Sequence, residues 1–375
     1  MAGIYIHIPF CKKACHYCNF HFSTQTKHID AFIDALLLEI EIRKDYINDP
    51  IQTIYFGGGT PSLLSEYQIK LIVSKISAHY NLNELVEFTI EANPDDINAV
   101  NLASWRKMGI NRLSIGIQSF QQEALAWMNR AHEVNQSHQA IQLAKEAGFN
   151  NLSIDLIYGT PHYTKAHLLA DLKMINDYQI PHVSCYALTI EEKTALHSMI
   201  EKGKMDNVVS EVQAEHFEII VDYLNSIGFE HYEISNFAKP GNRSQHNSSY
   251  WKSLPYIGFG PSAHSYNGIS RQWNIANNAL YIQALEKKEL HFEIEQLDQV
   301  AQYNEYMMIS LRCIEGFDLH IIRERFGNAY VDHTNTIIQT LAEQEILTRT
   351  NNSYSISKSA KFLADGIASE FFIVN

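Results

Sequence analysis

Short apolar runs alternate with longer segments of helical periodicity over the first half of the chain. The runs are rich in β-branched and aromatic residues, a composition typical of buried strands. The predicted strands are Gly3–Ile8, Thr53–Phe56, Val86–Glu91, Arg112–Gly116, Leu152–Ile157 and Val183–Leu188, and a seventh run at Phe229–Ile234 extends the set.

The segments between these strands have the periodicity of amphipathic helices. Glycines that take the left-handed conformation end three of the helical patterns, at Gly109, Gly148 and Gly228. Repeated strand–helix units predict an α/β fold in which parallel strands form a barrel or an open sheet, with helices outside. In such folds ligands bind at the carboxyl ends of the strands. The clearest predicted helices are Ile29–Tyr46, Ser65–Tyr80, Asn98–Met108, Ser137–Ala147 and Lys165–Tyr178.

The pattern changes after about residue 237. Residues 236–270 are rich in glycine, proline, serine, asparagine and aromatics, and they contain no long periodic element. Helical periodicity then returns, and two short β-like runs follow it, as in a small winged-helix-like domain. The terminal elements are predicted at Leu297–Leu311, Leu319–Phe326, Val331–Gln344 and the hairpin Ile346–Ile356. We therefore divide the chain into a core of residues 1–236, a connecting segment of residues 237–290 and a C-terminal domain of residues 291–375.

Composition limits the classes of partner. The 375 residues are 46% hydrophobic, enough for a large domain and a smaller one, and the formal net charge is −13. Because phosphate contacts need clustered lysine and arginine, an acidic chain without basic runs is not expected to bind nucleic acid. No apolar stretch approaches the ~20 residues of a membrane helix, and the N-terminus lacks the features of a signal peptide. We expect a cytoplasmic protein.

The cysteines suggest a metal centre rather than disulfide bonds. Cys11, Cys15 and Cys18 form a C-x3-C-x2-C loop directly after the first strand, whereas Cys185 and Cys313 stand alone in apolar contexts typical of packed core thiols. Three thiolates on one loop can each bind one iron of a 4Fe–4S cubane and leave the fourth iron open to a small molecule. Zinc remains an alternative because His16 and His21 are nearby, although a structural zinc site normally needs four ligands.

The cysteine loop, with an aromatic residue before its last cysteine, resembles the radical S-adenosylmethionine (SAM) signature. Further motifs appear in the order seen in the coproporphyrinogen-dehydrogenase-like family, which includes HemN and HemW. They are Tyr5-Ile-His-Ile-Pro-Phe, Gly57-Gly-Gly-Thr-Pro-Ser62, Glu91-Ala-Asn-Pro, Ile115-Gly-Ile-Gln-Ser-Phe120, Asn129-Arg130 and Ile154-Asp-Leu-Ile-Tyr-Gly159. The resemblance spans nearly the whole chain. It implies a partial parallel (β/α) barrel of the radical SAM type that holds a 4Fe–4S cluster through the three cysteines and binds SAM.

The resemblance also implies roles for residues near the strand ends. The glycine run with its following threonine is similar to the segment that holds the methionine part of SAM, and Tyr17 resembles the aromatic residue on the adenine side. Carboxylates, amides and arginine at strand ends can bind ribose hydroxyls, the ammonium and the carboxylate of SAM. Each residue alone could equally make a hydrogen bond that supports the fold. The expected SAM-binding set is Tyr5, Tyr17, Gly57, Gly58, Gly59, Thr60, Glu91, Gln118, Arg130 and Asp155.

Three features indicate the haem-chaperone (HemW) branch of this family. The oxidases of the family carry a cysteine at the position of Phe20, and they have an N-terminal extension that we do not expect here. The segment from His246 to Trp251 resembles the H-N-x-x-Y-W motif of the chaperones. The resemblance implies that His246 can bind haem iron while Tyr250 and Trp251 pack on the macrocycle. A local surface loop is the simpler interpretation, and His264 is an alternative ligand.

The expected function is therefore that of a haem chaperone that passes haem, as cargo, to apo-haemoproteins such as respiratory enzymes. Two alternatives stay open: an oxygen-independent coproporphyrinogen III oxidase, and a radical SAM enzyme with another substrate. We assign no catalytic residue and expect no coproporphyrinogen oxidase activity. The expected partners are haem, client apo-haemoproteins, an electron donor of the flavodoxin or ferredoxin type, and membranes reached peripherally through clients.

Overall fold

The computed structural model describes residues 1–342 and 344–374. Within these residues fifteen strands are present, twelve of them in one sheet. The strands are β1 (Ala2–Ile8), β2 (Ile51–Gly58), β3 (Glu87–Ala92), β4 (Arg112–Gln118), β5 (Asn151–Tyr158), β6 (His182–Ala187), β7 (Glu230–His231), β8 (Asn236–Ala238), β9 (Tyr256–Phe259), β10 (His264–Tyr266), β11 (Ser270–Asn274), β12 (Phe292–Gln296), β13 (Phe317–Asp318), β14 (Leu347–Thr350) and β15 (Ser353–Ile356).

Fourteen α-helices and four short 3-10 helices connect the strands in the described residues. The α-helices are α1 (Ile29–Ile42), α2 (Glu66–His79), α3 (Ala99–Lys107), α4 (Gln122–Trp127), α5 (Val134–Glu146), α6 (Lys165–Asp177), α7 (Ala195–Glu201), α8 (Ser210–Ser226), α9 (Gln245–Trp251), α10 (Asn278–Glu286), α11 (Gln299–Leu311), α12 (Leu319–Phe326), α13 (Asn328–Ala342) and α14 (Ala364–Glu370). The 3-10 helices are Thr26–His28, Pro61–Leu63, Pro94–Asp96 and Lys358–Leu363.

The large sheet is the partial barrel that the family resemblance implies, and it consists of the parallel strands that the strand–helix alternation predicts. Its order is β12-β11-β10-β9-β1-β2-β3-β4-β5-β6-β8-β7, and the six strands from β1 to β6 run parallel. These strands are buried on both faces, as strands covered by crossover helices are, and they therefore appear as near-continuous apolar runs. Gly109, Gly148 and Gly228 all have positive φ, which confirms the predicted helix caps.

Two predictions about the sheet need correction. The seventh run, Phe229–Ile234, contributes only the short edge strand β7, because antiparallel β8 occupies the place beside β6. The segment of residues 237–290 contains β9, which extends the parallel part of the sheet on the other side of β1. A strand of four residues, Tyr256–Phe259, has too few positions to show a period in the sequence.

The chain has two hydrophobic cores. The larger one lies between the parallel strands and their outer helices. The smaller one runs from Tyr303 to Phe371 and includes the three-stranded sheet β13-β15-β14, so the predicted terminal helices and hairpin are present. The predicted boundary at residue 291 nevertheless cuts the large sheet, because β12 pairs with β11. Glu343 and Asn375, which belong to the predicted terminal helix and domain, lie outside the described residues.

A buried ion pair fixes the antiparallel strands to the first helix. Arg43 donates from Nη1 to Glu39 Oε1 at 2.8 Å and from Nη2 to Ser265 Oγ at 2.8 Å. Glu39 also accepts hydrogen bonds from Asn274 and Tyr281, each at 2.7 Å. All these groups are buried. The charges of Arg43 and Glu39 balance each other, and both carboxylate oxygens of Glu39 accept hydrogen bonds, so neither of these buried charges is left unpaired. The network holds the backbone of β10 and β11 in place.

Among residues 1–342 and 344–374, no helix is both long enough and apolar enough to cross a membrane.

Candidate functional site

The cysteine loop leaves β1 and is fastened at both ends. Cys11 N–H donates to Ser23 O at 3.0 Å, and Ser23 N–H donates to Pro9 O at 2.9 Å. The middle of the loop is held from outside, where Asn129 Nδ2 donates to Ala14 O at 2.7 Å. These contacts hold the loop beside the ends of the parallel strands.

Cys11, Cys15 and Cys18 are half-buried and line one cavity of about 560 Å³, which we call the first cavity. Burial raises the pKa of Cys11 to about 11 and also raises that of Cys18, and the neighbouring thiols add to both shifts. Metal ions would replace these protons and balance the thiolate charge. In the part of the chain that the structure describes, no group of three His, Cys, Asp or Glu side chains forms a site for a single metal ion. Three cysteines around one cavity fit a cubane, whose thiolate ligands bind three different irons.

The histidines near the loop have other partners. His16 Nδ1 lies 3.0 Å from Trp127 O, and His21 Nε2 lies 2.6 Å from Asn278 Oδ1. His21 belongs to the wall of a different cavity, described below. The ring nitrogens that zinc would need are thus partly engaged in hydrogen bonds that position the loop.

The glycine run lets the end of β2 approach the cysteine loop. Gly58 has φ +104°, and a Cβ there would lie 2.5 Å from the ring of His7. A Cβ at Gly59 would lie 2.7 Å from the carbonyl oxygen of Ile8. Gly58, Gly59 and Thr60 line the first cavity, whereas Gly57 lies outside its wall. Only glycine permits this close contact between backbones at the carboxyl ends of β1 and β2.

Strand register puts the predicted polar residues on one face of the sheet. Tyr5 is opposite Tyr55, Glu91 is opposite Ser114, and Asp155 is two positions beyond Ser153, the residue opposite Ser114. Because side chains alternate along a strand, residues in such a row share a face. The sequence-predicted residues Tyr17, Glu91, Gln118, Arg130 and Asp155 all line the first cavity.

Two carboxyl groups of the first cavity are poorly solvated. Glu91 accepts a hydrogen bond from Tyr55 OH at 2.7 Å and one from Gly58 N–H at 3.2 Å, yet burial raises the pKa of its carboxyl to about 7. Burial also raises the pKa of Asp155, which accepts from Ser114 Oγ at 3.4 Å. Buried carboxyl groups whose pKa is raised are suited to bind a cationic ligand, which would stabilise their charged form.

Arg130 joins the cysteine loop to the strand ends. Its Nη1 donates to Cys15 Sγ at 3.3 Å, and its Nη2 donates to Asn93 Oδ1 at 2.8 Å and to Gly116 O at 2.9 Å. Its Nε is buried and has no hydrogen-bond partner among the described residues. The arginine therefore lies beside the cysteines as a fixed cation with one donor still free, which fits a site for an anionic group next to a metal cluster.

Several wall residues of the first cavity were not singled out from the sequence. Asn93 follows Glu91 in its motif, and its bond to Arg130 gives it a clear place, but a lone asparagine carries no specific signal. Tyr186 comes from β6 and Asp365 from α14 of the C-terminal region. No local pattern could have indicated that α14 reaches this cavity, since the contact joins the two ends of the chain.

Tyr5 and His7 line a larger cavity of about 870 Å³, which we call the second cavity. Asn19 and Phe20 line both cavities, so the end of the cysteine loop separates them. Tyr5, predicted as a SAM contact, lines the second cavity and is absent from the wall of the first. The second cavity is lined by Tyr5, His7, Asn19, Phe20, His21, Tyr250, Trp251, Ser253, Leu254, Tyr256, Ser262, His264, Tyr266, Arg271, Asn304, Glu305, Met308, Ile309 and Phe372.

His246 lies beneath this cavity rather than in its wall. The side chain is buried, with Nδ1 2.7 Å from Thr53 Oγ1 and Nε2 2.8 Å from Tyr250 OH. Its backbone N–H donates to Glu87 Oε1 at 2.9 Å. Burial lowers the pKa of the ring to about 3. Both ring nitrogens are engaged within the protein, so iron binding by His246 would require these bonds to break, whereas Tyr250 and Trp251 of the same helix do line the cavity.

Known proteins resemble this chain in sequence and in fold. Residues 5–175 match the model of the radical SAM superfamily. The chain is 33% identical to haem chaperone HemW of Bacillus subtilis (strain 168) over 375 residues, which is 99% of both chains. It is 34% identical to haem chaperone HemW of Escherichia coli (strain K12) over 265 residues, covering 70% of this chain and 69% of that one. Among solved structures, coproporphyrinogen III oxidase (HemN) of Escherichia coli, a radical SAM enzyme, matches with a TM-score of 0.86 at 22% identity over 99% of this chain and 89% of that one, which establishes a shared fold.

Proposed function

Because the chain belongs to the HemW haem-chaperone family of the radical SAM superfamily, we propose that it binds haem and delivers it to apo-haemoproteins. The observation that carries this proposal is the relationship over the full length, 33% identity across 99% of both chains. A relationship of that extent includes both cavities and the C-terminal region as well as the cysteine loop.

The first cavity is proposed to hold the resident cofactors. Cys11, Cys15 and Cys18 would bind the 4Fe–4S cluster, and its neighbouring wall would bind SAM. When bound, this pair supplies one-electron radical chemistry. The chain's own contribution is to fix the loop through its backbone bonds, to set the cation of Arg130 beside Cys15, and to offer the carboxyl groups of Glu91 and Asp155 to a cationic ligand.

We propose the remaining SAM contacts from where their residues lie in the structure. The glycine run with Thr60 lies at the carboxyl end of β2, the end at which ligands bind in folds of this type. Gln118 ends β4 with φ 64°, a left-handed conformation that is uncommon outside glycine and that turns the chain at the cavity wall. Tyr17 is half-buried between the second and third cysteines. Tyr5 and Gly57 support the site without lining it.

The second cavity is proposed to hold haem as cargo. Its volume of about 870 Å³ lies within the range of pockets that enclose small ligands. Its wall contains the aromatic side chains of Tyr250, Trp251, Tyr256 and Tyr266, and aromatic faces pack well on a flat macrocycle. The segment that resembles the chaperone motif therefore contributes two of these aromatic side chains, Tyr250 and Trp251.

Three further parts of the proposal concern the setting. We place the protein in the cytoplasm, with client haemoproteins that bring it to membranes peripherally. An electron donor of the flavodoxin or ferredoxin type would reduce the cluster. The alternative function, coproporphyrinogen oxidation, is favoured by the fold shared with HemN, but Phe20 stands where the oxidases of the family carry a cysteine.

One anaerobic experiment tests the function. The full chain is reconstituted with iron and sulfide and titrated with hemin, and the complex is then mixed with apomyoglobin as a general haem acceptor. In parallel, the reduced protein is given SAM and coproporphyrinogen III. We expect a shifted Soret band, transfer of haem to the acceptor, and unconverted coproporphyrinogen. Conversion to protoporphyrinogen at enzyme-like rates would overturn the proposal and establish the oxidase.

A further inference from the structure

The second cavity contains three histidines with different hydrogen bonding. His7 has both ring nitrogens engaged, Nδ1 with Tyr5 OH at 3.1 Å and Nε2 with His21 O at 2.8 Å. His21 Nε2 is held by Asn278. His264, at the start of β10, makes no side-chain hydrogen bond to any described residue. A neutral imidazole nitrogen binds haem iron only if its lone pair is free, which excludes His7. Of the other two rings, His21 has only Nδ1 free, whereas His264 has a free Nε2, the nitrogen that lies farther from the backbone.

We propose that His264 is the axial ligand of haem bound in the second cavity, and that His246 is a positioning residue that builds its wall. This inference rests on the proposed function and adds to it the place of the cargo and the residue that holds the iron. The site is formed by the antiparallel strands β9–β11, the C-terminal end of α9 and one side of α11.

The ring of His264 is oriented without using its nitrogens. It stacks on Trp273 of β11, with ring centroids 5.9 Å apart and an interplanar angle of 26°. The two residues are directly opposite in the strand pairing. The next residue, Ser265, is anchored below by Arg43 Nη2 at 2.8 Å. A ligand whose ring plane and backbone are both held keeps its nitrogens available for a metal.

Two buried donors in the wall lack acceptors. Trp251 Nε1 and Arg271 Nε have no hydrogen-bond partner among the described residues. Arg271 also forms an ion pair with Glu305 of α11. Buried donors without acceptors are costly, and haem carries two propionate groups that accept hydrogen bonds and charge. Haem matches each of these features. Its macrocycle can pack on the aromatic side chains, its iron can bind the free imidazole, and its propionates can accept from the two donors.

His246 supports this site from beneath. Its contact with Tyr250 OH holds a ring that packs edge-on against Tyr256, with centroids 4.6 Å apart. Its bonds to Thr53 and Glu87 anchor the first turn of α9 to β2 and β3. Loss of His246 should therefore displace a cavity wall and reduce affinity for haem, while the ligand of the iron stays the same.

The test uses the full chain in three variants, His264→Gly, His246→Gln and the matched surface control His162→Gly. His162 is 78% exposed and lies outside both cavities. Each protein is titrated with hemin, and the bound species is recorded by absorbance and resonance Raman spectroscopy. We expect His264→Gly to lose the wild-type axial signature and at least about tenfold in affinity. Added imidazole should restore the signature, since it can occupy the space of the missing ring.

His246→Gln should keep the wild-type axial signature with weaker binding, and His162→Gly should behave as wild type. A wild-type signature in folded His264→Gly, or a loss that imidazole does not restore, would reject the assignment of His264. A changed axial signature in His246→Gln with an unchanged one in His264→Gly would transfer the role to His246. If the wild-type protein binds no hemin at all, the proposed function fails, whereas the other outcomes concern only the ligand.

Discussion

The two cavities share a boundary at Phe20 but have opposite chemistry. The first lies at the carboxyl ends of parallel strands and is lined by thiols, poorly solvated carboxyl groups and an arginine. The second is larger and lies against β1 and strands β9 to β11, with phenylalanine, tyrosine or tryptophan at seven places in its wall. Parallel strands connected by crossovers place their loops together at one edge, and polar groups gather there. The second cavity is instead lined by side chains of these strands and of α9 and α11, an arrangement that fits a flat ligand.

The two histidines near the second cavity show how position changes the role of one residue type. His246 has both ring nitrogens within 2.8 Å of hydroxyl oxygens and is 1% exposed. His264 is exposed to the cavity and makes no side-chain hydrogen bond in the part of the chain described. His246, which belongs to the motif-like segment His246–Trp251, thus stabilises the cavity wall, whereas His264, outside that segment, has free ring nitrogens.

The largest expected effect comes from the cluster cysteines, whose replacement should disable the first cavity and leave the second intact. Cys11→Ala, Cys15→Ala and Cys18→Ala should each abolish the iron–sulfur absorbance near about 400 nm after reconstitution, because each thiolate binds its own iron. Hemin titration of the same variants should still show binding, since none of the three cysteines lines the second cavity. Cys185→Ala and Cys313→Ala are the matched controls and should keep the absorbance. Loss of the cluster in a folded control variant would show that the ligand set is wrong.

Charged contacts of the first cavity should give the next largest effect. Asp155→Ala and Arg130→Ala should leave the cluster in place and weaken SAM binding by about 10- to 100-fold, the cost of a lost hydrogen bond to a charged group. Isothermal titration of the reconstituted variants with SAM provides the measurement. Asp206→Ala, at an exposed surface position, is the control. Unchanged SAM affinity in both variants would assign these residues to support of the fold alone.

The raised pKa of Glu91 predicts a dependence of stability on pH. The folded protein holds the proton to about pH 7, above the ordinary 4.5, so this group stabilises the fold most at low pH, and that contribution is lost as the pH rises between these values. Between pH 5 and pH 8 the free energy of unfolding should fall more in the wild type than in Glu91→Gln, by about 1–3 kcal/mol. Urea unfolding of both proteins without cofactors measures the difference.

In Glu91→Gln the side-chain amide can turn an N–H donor toward Gly58 N–H. This contact between two donors lowers the stability of the variant by an amount that does not vary with pH. The contact therefore shifts the plot of unfolding free energy against pH for Glu91→Gln without changing its slope, and the slope still reports the titration of Glu91. Parallel curves for the two proteins would mean that Glu91 titrates normally and that the first cavity is better solvated than its burial indicates.

The smallest expected effect tests the aromatic wall. Trp251→Ala should weaken hemin binding by about five- to tenfold through loss of about 1 kcal/mol of aromatic packing, and Trp251→Phe should restore part of it. SAM affinity should not change, because Trp251 does not line the first cavity. Tyr67→Ala, at an exposed position on α2, is the control. Equal effects on hemin and SAM would indicate that the two cavities act as one site.

The sequence by itself determined the parallel strands β1 to β6 and pointed to several residues of the first cavity, among them the three cysteines, Glu91 and Asp155. Buried parallel strands are nearly continuous apolar runs, so β1 to β6 are visible as such, and helix ends are marked by glycines that take positive φ. Because the carboxyl ends of parallel strands meet at one edge, residues far apart in the chain, such as Glu91 and Asp155, could be expected near one another, and the family resemblance then assigned them to one site.

Only the tertiary structure decided the second cavity. β9 is too short to have a period, and its position beside β1 depends on pairing across more than 200 residues. Tyr5 lies on the predicted face but in the other cavity, and α11 and Asp365 reach the two sites from the C-terminal region. Whether a histidine is a structural hydrogen-bonding residue or a free ligand depends on its neighbours in space. The rings of His246 and His264 are chemically identical, and the protein around them supplies partners to one and withholds them from the other.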